Sequence, residues 1–150
     1  GARTDEYIDA IRELWTSEAP NFSGKYVNYG GIQSRPLAYQ TGGPPIIVGG
    51  TSNAAYQRAL QKGQGWYGFA MDLETSRTCI DQLTSLSADI TRDPKLGDLE
   101  ISITPRIPLT EEIVRAYEEM GVSRLILLQK GQTVEALLAY IELISGTYIR

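Results

Sequence analysis

The residues of this chain that could do chemistry are led by its smallest side chains. In IIVGGTSNAAYQRAL, residues 46 to 60, an apolar run enters Gly49 and Gly50, passes two hydroxyl residues, Thr51 and Ser52, and becomes a helical pattern. Glycines without a Cβ let a ligand approach the backbone and can take positive φ. The free amides and partial positive charge of a helix start favour an anion, and the two hydroxyls add donors. A phosphate fits this chemistry without a lysine. A tight strand-to-helix turn capped by a serine would use the same residues, so both readings stand at this point. The stretch is neither a Walker A loop nor a GxGxxG fingerprint, because the required Gly-Lys-Ser/Thr and glycine spacing are absent.

The rest of the inventory is narrow. The chain contains no histidine. That removes Ser-His-Asp and Cys-His catalysis, histidine metal sites and the commonest general base. No metal site is expected. Chemistry must rest on carboxylates, tyrosines, backbone amides or a cofactor with its own reactivity. The single cysteine, Cys79, falls on the apolar face of a predicted helix and reads as a small core residue. Thr104 and Arg106 continue the inward phase of a predicted strand and would stand near its upper end; the plainer reading is an arginine satisfied by loop carbonyls or Glu111. Glu111-Glu112 compensate a helix dipole, and Glu118-Glu119 read as a solvated face. Tyr26, Tyr29 and Tyr39 could cover a flat aromatic ligand or could simply pack their own loop.

The elements that must position these residues follow from periodicity. Tyr7, Ile8, Ile11, Leu14 and Trp15 recur at helical spacing, with Thr4 as the expected cap, so residues 1–18 read as a helix. Residues 19–45 lack a period and are rich in Gly and Pro. Within them Lys25-Tyr26-Val27 and Ile32-Gln33-Ser34 are expected to pair as a small hairpin, and a loop this long in a compact domain is often functional. Residues 46–150 then read as four strand–helix units. Ile46 to Val48 is an expected buried strand, and Ser52 to Lys62 a helix stopped by Gly63. Trp66 to Ala70 is a strand. Thr75 or Ser76 caps a helix carrying Cys79, Ile80, Leu83 and Leu86. Leu99, Ile101 and Ile103 alternate with Glu100, Ser102 and Thr104. Thr110 caps a helix stopped by Gly121, Val122 to Leu128 is an apolar strand, and Thr133 caps a last helix with Val134, Leu137, Leu138, Ile141 and Ile144. Strands alternating with helices imply an α/β fold with a parallel sheet, either an open doubly wound sheet or part of a (β/α)₈ barrel.

Composition sets the remaining bounds. The 150 residues are 42% hydrophobic and 21% charged, a globular balance with room for one core. A net charge of −4 leaves no basic surface for a nucleic acid backbone. No apolar run approaches the roughly 18 residues of a membrane span, so no membrane partner is expected and the cytoplasm is the expected compartment.

Two stretches carry a family resemblance. In DEYIDAIRELWTSEAPNFSGKYVNYGG an acid-rich helix ends in Leu-Trp-Thr and a Phe-x-Gly-x-Tyr turn follows. In RPLAYQTGGPPIIVGGTSNAAYQRALQKGQGW a Pro-rich lead-in reaches Pro-Pro-Ile, a Gly-Gly-x-Ser loop, an alanine-rich helix with an arginine and a Gly-x-Gly-Trp turn. Together they resemble the bacterial luciferase-like monooxygenase superfamily, closest to its deazaflavin (coenzyme F-420)-dependent oxidoreductases. The resemblance is strongest from residue 35 to 67 and generic beyond about residue 72. It implies the C-terminal half, about four βα units, of a (β/α)₈ TIM-type barrel with a hairpin-containing insertion. It also implies a cofactor, coenzyme F-420 first and FMN as the alternative, whose phosphate sits on Gly49, Gly50, Thr51 and Ser52, with Tyr67 and Gly68 adding contacts at the next strand end. Arg58 matches a helix arginine and reads as structural. Gln64 stands where the family has an aspartate. The family's N-terminal half, with most ring contacts and the usual acid–base residues, has no counterpart here. The chain is therefore expected to be a fragment, and no catalytic residue is assigned within it. Its expected partners are a small-molecule substrate and either that missing half or a second copy of itself.

Overall fold

A computed structural model describes residues 1–129, 131 and 133–148. Helix α1, Ala2–Thr16, is followed by a two-stranded hairpin, β1 Phe22–Ser23 with β2 Asn28–Tyr29. Four βα units come next: β3 Ile47–Gly49 with α2 Asn53–Lys62, β4 Gly65–Met71 with α3 Leu73–Ser87, β5 Glu100–Pro105 with α4 Glu111–Glu119, and β6 Arg124–Leu125 with α5 Val134–Tyr148. The four main strands form one parallel sheet in the order β3-β4-β5-β6. This order decides between the two architectures left open by the sequence. Right-handed crossovers that always step the same way put every helix on one face, as in a barrel, whereas a doubly wound sheet reverses direction. Contacts between α2 and α3 and between α3 and α4 agree with a single helical layer. The fold is α/β, four units of a barrel-type sheet with two open edges, β3 and β6.

The core lies between sheet and helices. Val48, Trp66 and Ile103 meet Tyr56, Ala59 and Leu60 of α2, Cys79, Ile80 and Leu83 of α3, and Tyr117 beside Met120 at the end of α4. Register sorts the two faces. Val48 pairs with Trp66 and Trp66 with Ile101 on the helix side, while Gly49, Tyr67, Ser102 and Arg124 form the next row, on the opposite side. In a closed barrel that second row faces the axis.

Caps explain most boundaries, and several differ from the sequence expectation. Ser52 caps α2 through Ala55, and Thr110 caps α4 through Ile113. Thr133 accepts from the amide of Ala136 at the start of α5. Thr4 does not cap α1: the helix begins at Ala2, and the amide of Thr4 already bonds the Gly1 carbonyl. Neither Thr75 nor Ser76 caps α3. Asp72 does, three residues before Thr75, whose amide it accepts at 2.9 Å. The hairpin forms, but its strands are shifted to Phe22–Ser23 and Asn28–Tyr29. The reason is Glu6 of α1, whose carboxylate takes the amides of Lys25, Tyr26 and Val27 and so makes those residues the turn. Only Arg124 and Leu125 of the expected strand Val122 to Leu128 enter the ladder. Ile47 of the expected buried strand is partly exposed, since it faces the open side.

Helix α1 is held on α2 by charge. Arg58 Nε reaches Asp5 at 2.5 Å, and Lys62 Nζ reaches Asp9 at 2.6 Å, one turn further on each helix. Arg58 is therefore structural, as expected. Gln64 ties α1 to the entry of β3. Its side-chain oxygen accepts from the Ile46 amide at 2.8 Å and from Arg12 at 3.3 Å.

Candidate functional site

The loop after β3 stands at the C-terminal end of the sheet, where ligands bind in parallel α/β folds. Gly49, Gly50, Thr51 and Ser52 are all exposed. Gly50 has φ +108°, and a Cβ there would also press Ala55 at 3.3 Å. Its carbonyl accepts a 2.8 Å hydrogen bond from the indole of fully buried Trp66. Packing is thus a full reason for Gly50. It is not one for Gly49, whose added Cβ would find only ordinary contacts, 3.9 Å to the Tyr67 carbonyl and 4.0 Å to its ring. Helices α1, α3, α4 and α5 each carry an acidic residue in the first turn, and α2 carries none. The positive end of α2 is left for another anion, and the open Gly49, two hydroxyls and the first amides of the helix suit a phosphate.

Tyr67 lies beside Gly49 in the register, and its hydroxyl shares a 2.7 Å hydrogen bond with Thr104. Thr104 is only 1% exposed, as is Ser102 one step below it, although both stand on the open side of the sheet. Ser102 donates to Glu100 at 2.9 Å, and Glu100 accepts from Arg124 at 3.1 Å. The inner face therefore carries a polar ladder from Arg124 up to Tyr67. Gly68 belongs elsewhere in the geometry. A Cβ there would meet Met71 Sδ at 2.5 Å and Trp66 Cη2 at 2.9 Å, so its Cα faces the core. The structure brings Gly49, Gly50, Thr51, Ser52 and Tyr67 together at one strand end and turns Gly68 toward the helices.

Beyond Gly68 the strand is irregular. The β4–β5 register shifts between Gly68 and Met71, and Ala70 takes φ +53°, a left-handed conformation that costs a non-glycine residue energy. The Met71 carbonyl is held by the Arg106 amide at 2.9 Å and the Tyr117 hydroxyl at 3.1 Å. Hydrogen bonds from the Thr75 amide and hydroxyl keep the carboxyl of Asp72 below the usual aspartate range, and the Arg106 charge adds to this. Burial pushes the Tyr117 phenol upward. Burial and the neighbouring Cys79 thiol do the same for Tyr56 beneath the glycine loop. No periodicity signals the Ala70 kink. The Asp72 cap was legible, since Asp is a favoured N-cap three residues ahead of its amide partner. Of the three tyrosines in residues 19–45, Tyr39 is 101% exposed, Tyr26 stands beside Arg3 and Lys25, and the Tyr29 hydroxyl donates to the Ala10 carbonyl. Glu111 pairs with Arg115 and not with Arg106.

Among the described residues no group of three or more His, Cys, Asp or Glu could hold a metal, and no helix is long and apolar enough to cross a membrane. Residues 1–144 match the model of the luciferase-like monooxygenase family. The chain belongs to that family. An uncharacterized protein of Mycobacterium tuberculosis is 24% identical over 143 residues, covering 91% of this chain and 47% of its own length. An FMNH(2)-dependent dimethylsulfone monooxygenase of Pseudomonas putida is 24% identical over 95 residues, covering 63% of this chain and 26% of its own length. Among solved structures, a riboflavin lyase with modified FMN and riboflavin superposes with a TM-score of 0.53 at 15% identity, over 94% of this chain and 34% of that one. The chain thus spans about half the length of its M. tuberculosis relative and less of the other two.

Proposed function

We propose that this chain is the phosphate-anchoring half of a flavin- or deazaflavin-dependent oxidoreductase. The observation that carries the reading is the exposed Gly49–Ser52 loop on the one described α-helix whose first turn lacks an acid. Thr51, Ser52 and the first amides of α2 bind the phosphate. Gly49 keeps the approach open, and Gly50 holds its carbonyl on Trp66 so that the loop keeps its shape. Tyr67, fixed by Thr104, stands next to Gly49 and lines the path from the phosphate toward the barrel axis. Gly68 supports the same strand end from behind. When bound, a deazaflavin supplies hydride transfer and a reduced FMN supplies oxygen activation.

The phosphate loop serves both cofactors alike. The resemblance read in the sequence favours coenzyme F-420. The FMN-dependent relative and the FMN-bearing lyase favour FMN. The acid–base groups for turnover are expected outside this chain, in the half of the barrel that would close edges β3 and β6, or in a second copy that takes its place. The test is the absorbance spectrum of the native protein isolated from its source cells. A flavin or a deazaflavin band identifies the cofactor and bears out the reading. A cofactor-free protein that takes up neither molecule on reconstitution overturns it.

A further inference from the structure

A second site lies on the same face, and building on the proposed function it names the kind of substrate. A cavity of about 610 Å³ opens at the C-terminal ends of β4, β5 and β6, beneath α5. Its wall is mostly apolar, with Leu128, Leu143 and Ile144 among the aliphatic residues and Tyr140 and Tyr148 presenting rings. Helix α5 is fixed over it by the Tyr148 hydroxyl, which donates to the Leu109 carbonyl at 3.1 Å, and by Gln129, which donates to the Ala136 carbonyl at 2.8 Å. The left-handed Ala70 and the hydroxyl-bearing Thr104 form its floor. Among the described residues one cation lines it, Arg106. Among the described residues no carboxylate lies within salt-bridge distance of that guanidinium. The Asp72 carboxylate feels the Arg106 charge from beyond that distance and is hydrogen-bonded by the Thr75 amide.

An unpaired guanidinium at the rim of an apolar, tyrosine-bearing cavity selects an apolar body that ends in an anion, because a guanidinium grips a carboxylate through two parallel hydrogen bonds. The volume lies in the ordinary range for small-molecule sites. We infer that this cavity binds an aromatic carboxylate, with the carboxylate on Arg106 and the ring between Tyr140, Tyr148 and the aliphatic wall. The Thr104 hydroxyl, already bonded to Tyr67, connects this site to the phosphate loop, so a substrate here would sit beside a cofactor anchored there.

The test is titration of the chain with naphthalene-2-carboxylate and with the neutral naphthalene-2-carboxamide, by calorimetry and by backbone amide shifts. The carboxylate is expected to bind tighter, by on the order of tenfold for a charge-assisted contact. Its shifts are expected at Thr104, Leu128, Tyr140 and Leu143. Arg106→Gln should erase the preference by weakening the carboxylate far more than the carboxamide, while Arg106→Lys should retain part of it. Arg106 is exposed, so unchanged melting temperatures are expected and report that both variants fold. Equal affinity for the two probes, no binding of either, or shifts confined to other apolar surfaces would overturn the proposal. The probes carry neither phosphate nor flavin, so failure here leaves the cofactor reading intact, and failure of FMN binding leaves this site intact.

Discussion

At the level of single residues, the two glycines after β3 separate fold from function. Gly50 has a positive φ and a carbonyl tied to Trp66. A side chain there strains the loop whether or not a ligand binds, so Gly50→Val should cost about 1–3 kcal/mol of stability as well as weaken any phosphate. A drop in binding by that variant therefore does not isolate the site. Gly49→Ala does, because its Cβ meets nothing closer than 3.9 Å. It should melt within a degree or two of the parent, by the usual size of surface substitutions, and still bind a phosphate ligand more weakly; unchanged affinity would remove Gly49 from the site. Trp66→Phe keeps most of the ring's packing but leaves the Gly50 carbonyl without its donor. Denaturant unfolding should show a loss of about 1–3 kcal/mol, and loop amide exchange should rise at Thr51 and Ser52. These roles were only partly legible in advance. The sequence showed a glycine pair, a capping serine and a nearby tryptophan. It could not show which glycine packs and which stays open, because that depends on φ and on a partner well away in the chain, Trp66.

Helices and turns are joined largely by charge. The Arg58–Asp5 and Lys62–Asp9 pairs form a two-rung ladder between α1 and α2, and both are partly exposed. Double substitution of Asp5 and Asp9 by Asn should cost on the order of 1 kcal/mol, with the loss smaller in high salt; a salt-independent loss would point to packing instead. Glu6 anchors the hairpin turn. Desolvation raises its carboxyl, but the amides of Tyr26, Val27 and Lys25 outweigh that and hold it below the usual value of 4.5. A lowered native value means that the unfolded chain takes up protons first as the solution is acidified. The contribution is complete above about pH 4.5 and is lost as pH falls through the lower native value. Protection of the Lys25, Tyr26 and Val27 amides, relative to their intrinsic exchange rates, should therefore fall as the solution is acidified below about pH 4.5, and Glu6→Gln should remove that acid limb. Element types were readable because apolar periods and caps agree. The errors at Thr4 and in the hairpin register arise where a neighbouring backbone carbonyl or a distant carboxylate overrode the local signal, whereas at Thr75 the cap is a second local candidate, Asp72, three residues earlier. Arg92, which donates to the carbonyls of Ala59 and Leu60 and so satisfies the end of α2, carried no local signal at all.

The molecule as a whole is a curved sheet with one finished face and one open face. Ile47, Phe69, Ile126 and Leu128 are exposed on or beyond the strands, and α5 leaves Val134, Leu137, Leu138, Ile141 and Leu143 exposed. Unpaired parallel edges and apolar area of this kind favour association. Sedimentation of the isolated chain should show concentration-dependent self-association, relieved by a polypeptide that supplies the other half of the barrel. A stable monomer at all concentrations would contradict the open-sheet picture. The barrel type was legible from alternation and family resemblance together. The order β3-β4-β5-β6, which excludes a doubly wound sheet, was not, because sequence periodicity says nothing about the direction in which each crossover steps. The central claim, that Gly49 to Ser52 receive a cofactor phosphate, is tested most directly by titrating the chain with FMN and with riboflavin, which lacks only the phosphate, while following the amides of Gly50, Thr51 and Ser52. The account predicts that FMN binds and shifts these amides, and that riboflavin binds much more weakly and leaves them in place. Equal affinity, with no response at the loop, would contradict it.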